Sequence, residues 1–134
     1  MRIQVLYHFF KAIQIGYRKH SCNGTKEKKI MINDQQKDFL LLLGYNYLKS
    51  CKLEKAITIF KVLYYLYPKC DIYSLCLSYL HLKLKQYEKT LFYAEIYMTK
   101  QNGKLKQGRL IKSKALFEMG LVEEAKKCVQ KIFV

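Results

Sequence analysis

The sequence predicts an all-α fold: three helical hairpins stacked into a short right-handed solenoid, preceded by an N-terminal amphipathic helix. Three observations carry that expectation. The stretch from Leu40 to Pro68, LLLGYNYLKSCKLEKAITIFKVLYYLYP, reads as two antiparallel helices closed by a proline. Small residues recur where two such helices would touch: Gly44, Ser78 and Ser113 form one series and Ala56, Thr90 and Ala125 another, each stepping by 34 and then 35 residues. Capping and turn residues bound the segments, at Asn33 or Asp34, at Asp71, from Gln101 to Gly103 and at Gly120.

The spacing has a mechanical reason. Gly44 on the first helix and Ala56 on the second fall where the paired backbones come nearest, so only residues with little side chain fit, and larger neighbours fill the groove around them. Pro68 ends the unit, because it cannot continue a helix and biases the residue before it away from helical backbone. The strings around the second series, KLEKAITIF, QYEKTLFYA and LVEEAKKCV, are alike. Leu40, Leu43, Gly44, Tyr47, Ala56, Phe60, Leu63 and Pro68 together resemble the tetratricopeptide repeat. The resemblance implies one strong copy at 37–70 and two degenerate copies at 71–105 and 106–134, with Ala94 and Val129 in the place of Phe60 and Asn102 in the place of Pro68. Three stacked units are about the minimum that buries a continuous core.

Taken in order, residues 1–18 place Ile3, Leu6, Phe10 and Ile13 on one helical face, with Val5 and Phe9 widening it. The alternation of Ile3, Val5, Tyr7 and Phe9 also fits a strand, which would have no partner beside a helical solenoid, so a helix is expected. HSCNGTKEKK, from His20 to Lys29, is polar with an Asn-Gly step and is expected to be a linker, which puts arm and linker at 1–33 and the repeats at 34–134. Helices are then expected at 35–49 (capped by Asn33 or Asp34), 53–66, 71–84 (capped by Asp71), 87–99, 105–119 and 122–132. Lys126, Lys127 and Lys131 would let the last of these serve as its own polar cap.

Composition bounds the function. A chain of 134 residues with 51% apolar and 14% aromatic content is one domain with material for a core. Its five cysteines, Cys22, Cys51, Cys70, Cys76 and Cys128, are odd in number and contain no CxxC pair, so neither a disulfide framework nor a zinc site is indicated, and a reducing, cytoplasmic location is expected. His20 and Cys22 read as coincidence rather than metal ligands, and His8 and His81 as packed histidines; no metal or cofactor is expected. No stretch reaches the roughly 20 apolar residues that span a bilayer, and MRIQVLYHFFKAIQIGY lacks the cleavage site of a secretion signal. Without a Ser, His and Asp set in motif context, or a phosphate-cradling glycine loop, an enzyme is not expected.

The net charge of +15 invites an acidic partner or nucleic acid, and the densest stripe is Lys100, Lys104, Lys106, Arg109, Lys112 and Lys114. Only Arg2, Arg18 and Arg109 among the 25 basic residues are arginine, the side chain that reads bases and phosphates bidentately, so a solvated lysine surface is preferred and nucleic acid is not the expected partner.

In stacked hairpins of this type the first helix of each pair lines the concave surface. Counting from Gly44 gives Leu41, Tyr45 and Leu48, then Leu75, Tyr79 and Leu82, then Leu110, Lys114 and Phe117. Eight of these nine are apolar or aromatic, more than hairpin packing itself requires, and a large apolar patch of that kind marks a binding site. The segment 1–18 or a second copy of the chain are the alternative occupants. With only Lys114 charged, a clamp for a peptide carboxylate is not expected.

The repeat positions, the Tyr-rich and Leu-rich first helices, the short chain and the N-terminal arm together resemble the tetratricopeptide-type chaperones of bacterial type III secretion systems. The resemblance implies that a hydrophobic secretion substrate, a pore-forming translocator or a needle subunit, is held in the groove before export, and that the arm pairs subunits or contacts a co-chaperone. The chain departs from the translocator type in being strongly basic and in having no further C-terminal helix.

Overall fold

A computed structural model describes residues 32–100 and 106–133. The regular structure among them is entirely helical: α1 Asp34–Lys49, α2 Leu53–Leu66, α3 Asp71–Lys83, α4 Tyr87–Lys100, α5 Lys106–Glu118 and α6 Val122–Gln130. These bounds agree with the expected ones to within two residues. The amphipathic helix expected at 1–18, the linker at 20–29 and the turn at 101–103 lie outside the described residues, as do His8, His20, Cys22 and Lys104. All six helices belong to one compact unit, Ile32–Val134.

The caps explain where the helices start. Asn33 opens α1 through a reciprocal pair of bonds, its side-chain oxygen accepting from the Gln36 backbone at 2.8 Å while Gln36 Oε1 accepts from the Asn33 backbone at 3.0 Å. Asp71 does not cap α3 as expected. Cys70 holds the cap position without a side-chain capping bond, and Asp71 lies in the first turn, where its negative charge suits the helix dipole.

The three turns within the helix pairs are built alike. Cys51, Lys85 and Gly120 all take positive φ, at 59°, 60° and 85°, and they stand 34 and then 35 residues apart. In each turn that residue's N–H donates three residues back, to Leu48, Leu82 and Phe117, and the next N–H donates five residues back, to Tyr47, His81 and Leu116. This Schellman closure satisfies the last carbonyls of α1, α3 and α5 and reverses the chain.

Each helix packs on the next, and α3 also reaches α5. The core runs through Phe60 and Leu63 of α2, Tyr73, Leu77 and Leu80 of α3 and Ala94 of α4, all without solvent exposure. Every member of the two small-residue series is buried. The hydroxyls that replace glycine and alanine are satisfied by carbonyls three or four residues back: Ser78 donates to the Leu75 carbonyl at 2.6 Å, Ser113 to Leu110 at 2.9 Å and Thr90 to Gln86 at 3.0 Å. Across α1 and α2 the helices approach closely at Gly44, which side chains of α2 meet directly. A Cβ on Gly44 would lie 3.1 Å from both Ile59 and Phe60, so the glycine makes room for the Phe60 ring. Gly108 does the same between α4 and α5, where a Cβ would lie 2.6 Å from Met98 and 3.0 Å from Tyr97.

Candidate functional site

The nine residues expected to line the concave surface sit on α1, α3 and α5, the first helix of each pair, and their environments differ. Leu41 and Tyr45 on α1 are half-buried, and Leu48 is buried. On α3, Leu75, Tyr79 and Leu82 are buried, with Tyr79 only 3% exposed, inside an unbroken run of ten buried residues from Tyr73 to Leu82. On α5, Leu110 and Phe117 are 47% and 59% exposed, and Lys114 between them is exposed as well. The open part of the row therefore lies on α5.

The chemistry of the buried and open parts differs accordingly. Burial, with the nearby Cys51 adding to it, pushes the Tyr79 phenol up to about 12, so it stays protonated. His81, one turn beyond Ser78 on α3, is buried and stacks on Tyr93 with ring centroids 5.4 Å apart. Its Nδ1 lies 2.8 Å from Gln86 Oε1 and donates to it, while Nε2 has no partner among the described residues. Burial holds its pKa below the ordinary histidine value, and the positive charges of Lys61 and Lys89 act in the same direction. On the open part, Lys114 pairs with Glu118 at 3.0 Å one turn along α5, which draws its charge along the helix beside Phe117.

Exposed apolar side chains concentrate around that open part. Seven of the twelve large exposed hydrophobic residues described belong to the α5–α6 hairpin: Leu110, Phe117, Met119, Leu121, Val122, Val129 and Phe133. Counting along the first helices did not find the last five, because they lie in the turn, on α6 and just beyond its end. The expected polar cap is thus only partly polar. Lys126, Lys127 and Lys131 are exposed, but Val129 and Phe133 are exposed beside them.

The basic stripe is divided among different tasks. Lys100 donates to the Pro68 carbonyl at 2.6 Å and lies over the Tyr64 ring, tying the end of α4 to the α2–α3 connection. Lys112 pairs with Glu95, and Lys114 with Glu118. Arg109 donates to the Lys131 carbonyl at 3.0 Å, across the α5–α6 hairpin. No helix among the described residues is long and apolar enough to cross a membrane. Comparison with protein-family models, with curated proteins and with solved structures returns no match.

Proposed function

We propose that this chain is a tetratricopeptide-type helical scaffold that docks an apolar segment of a partner protein against α5 and keeps that partner in a competent, unaggregated state. Support for the scaffold comes from the three like turns at Cys51, Lys85 and Gly120 and from the burial of all six small-residue positions, both in the expected register. The observation that carries the docking reading is the pair Leu110 and Phe117, two turns apart on one face of α5 and both exposed, at the end of a row whose members on α1 and α3 are buried or half-buried. Phe117 is the anchor, because an aromatic ring offers a large apolar area with few rotamers to freeze and such residues dominate interfaces. The resemblance to type III secretion chaperones makes an export substrate, held in the cytoplasm, the partner class to test first.

Co-expression with the proteins encoded beside this chain provides the test. Phe117→Ala should weaken recovery of the bound partner by about 2 kcal/mol or more while helical content stays unchanged. Lys126→Ala, on the exposed side of α6, should leave recovery as it is. Equal recovery from the two variants would remove the docking reading.

A further inference from the structure

The α5–α6 hairpin also contains a cleft that the apolar docking reading does not use. It encloses about 220 Å³ between the end of α4, α5 and α6. Arg109 and Lys112 reach it from α5, and Lys127, Lys131 and Glu124 from the α6 side. The floor is aliphatic and sulfur-bearing, formed by Met98, Leu116 and Cys128. Two bonds between the helices fix its shape: Arg109 Nη1 donates to the Lys131 carbonyl at 3.0 Å, and Cys128 Sγ lies 3.5 Å from the Arg109 carbonyl.

The charges in the cleft are poorly compensated. Lys112 is paired with Glu95, but the ammonium groups of Lys127 and Lys131 form no ion pair among the described residues, in contrast to Lys114 and Lys126, which have Glu118 and Glu123. Arg109 uses one of its five N–H donors on the Lys131 carbonyl and retains four. Against four cations stand Glu124 in the wall and Glu95 behind Lys112, which leaves two positive charges. Like charges held together in a concave site raise each other's energy, and a dianion relieves that strain best.

We propose that this cleft binds a phosphomonoester dianion, through the Arg109 fork and the Lys127 and Lys131 ammonium groups. Such a group carries about −1.5 to −2 charge at pH 7 and three strong acceptor oxygens, which match the excess of two cations and the free donors. A nucleic-acid strand is a poorer fit, because no aromatic ring lines the cleft to stack a base. The proposal stands apart from the docking of an apolar segment on α5, and either holds without the other.

Titration of the full chain at about 0.15 M salt, followed by backbone amide shifts of Lys127 and Lys131, tests it. The probes are a phosphoserine peptide, the same peptide unphosphorylated, inorganic phosphate and a single-stranded oligonucleotide. Saturable one-to-one binding of the phosphopeptide is expected, weakened about ten-fold or more by the double variant Lys127→Gln, Lys131→Gln. The exposed α2 pair Lys55→Gln, Lys61→Gln removes the same charge and should change little. If inorganic phosphate binds as tightly as the phosphopeptide, the site takes a free anion; if the phosphopeptide binds more tightly, it takes a partner's modified side chain. Equal binding of the unphosphorylated peptide, equal loss in the two double variants, no saturation, or displacement of the phosphopeptide by the oligonucleotide would each overturn the proposal.

Discussion

The second and third hairpins share a frame and differ in what they present. Ser78 and Ser113 are both buried and both donate to the carbonyl three residues back, Thr90 and Ala125 are both buried, and the turns at Lys85 and Gly120 close with the same bonds. Yet Leu75, Tyr79 and Leu82 are buried, while their counterparts Leu110, Lys114 and Phe117 are exposed. Repeat phase decides which side chains meet inside a hairpin. It does not decide the fate of the outward row, which depends on what lies against it. The substitution of Lys114 for Tyr79 in that row agrees with the difference, since an ammonium group stays where water can reach it.

The sharpest way to break this comparison is to truncate buried residues of the second hairpin and an exposed one of the third. Leu77→Ala removes a fully buried side chain from α3 and should cost about 2–5 kcal/mol. Tyr79→Ala belongs with it, at roughly 3–5 kcal/mol by analogy with other buried aromatics, although its repeat phase put Tyr79 in the row expected to line the concave surface. Phe117→Ala on α5 should lie within about 0.5 kcal/mol of the parent. Urea unfolding of the three variants measures this directly, and a Phe117→Ala loss as large as that of Leu77→Ala would erase the distinction between the hairpins.

A smaller effect is expected where the first hairpin is tight. Ala56 has no exposure, so Ala56→Leu must displace neighbours and should cost about 1–3 kcal/mol. An unchanged melting temperature would show that the small-residue series does not report close packing.

What was legible in the sequence is what is local. Helix bounds follow from runs without breakers, and the two small-residue series follow from a contact within one hairpin, so both could be read by counting. Cys51 and Lys85 were not legible as left-handed residues, because a cysteine and a lysine carry no signal for positive φ, and only their register with Gly120 reveals it. Gly108 was missed because its reason lies in Tyr97 and Met98 on the preceding helix. The cationic cleft joins Arg109 and Lys131 across a hairpin, and only the i,i+3 pair Arg109 and Lys112 facing the i,i+4 pair Lys127 and Lys131 hinted at it. The burial of the α3 row was not legible either, since Tyr45, Tyr79 and their neighbours look alike by phase.

The buried histidine of the second hairpin gives the next test, through pH. The fold holds His81 neutral, its pKa lowered chiefly by burial, whereas in the unfolded chain it titrates near the ordinary value of about 6.5. As pH falls through that value the unfolded chain takes up a proton that the folded chain resists, so the stability present above about pH 6.5 declines below it. In His81→Phe, which keeps a ring against Tyr93, the slope of unfolding free energy between about pH 7 and pH 5 should flatten. An identical slope in the parent and the variant would mean that His81 does not carry the pH dependence.

The smallest effects come from the turns, where the hairpins are most alike and differ by one residue type. Cys51 and Lys85 hold left-handed backbone with a Cβ present, while Gly120 does so without one. For a residue with a Cβ that conformation costs about 1 kcal/mol, partly offset because glycine gives the unfolded chain more freedom to lose. Lys85→Gly and Cys51→Gly should therefore stabilise the fold by roughly 0.5 kcal/mol each, provided the Schellman bonds to His81 and Tyr47 are kept. Gly120→Ala should destabilise by about 1 kcal/mol. Nothing lies within 4 Å of the position a Cβ on Gly120 would take, so that cost is conformational rather than steric. Opposite signs at equivalent turns, read by thermal unfolding of the three single variants, are expected; the same sign at all three would mean that the turns are not energetically equivalent despite their matching bonds.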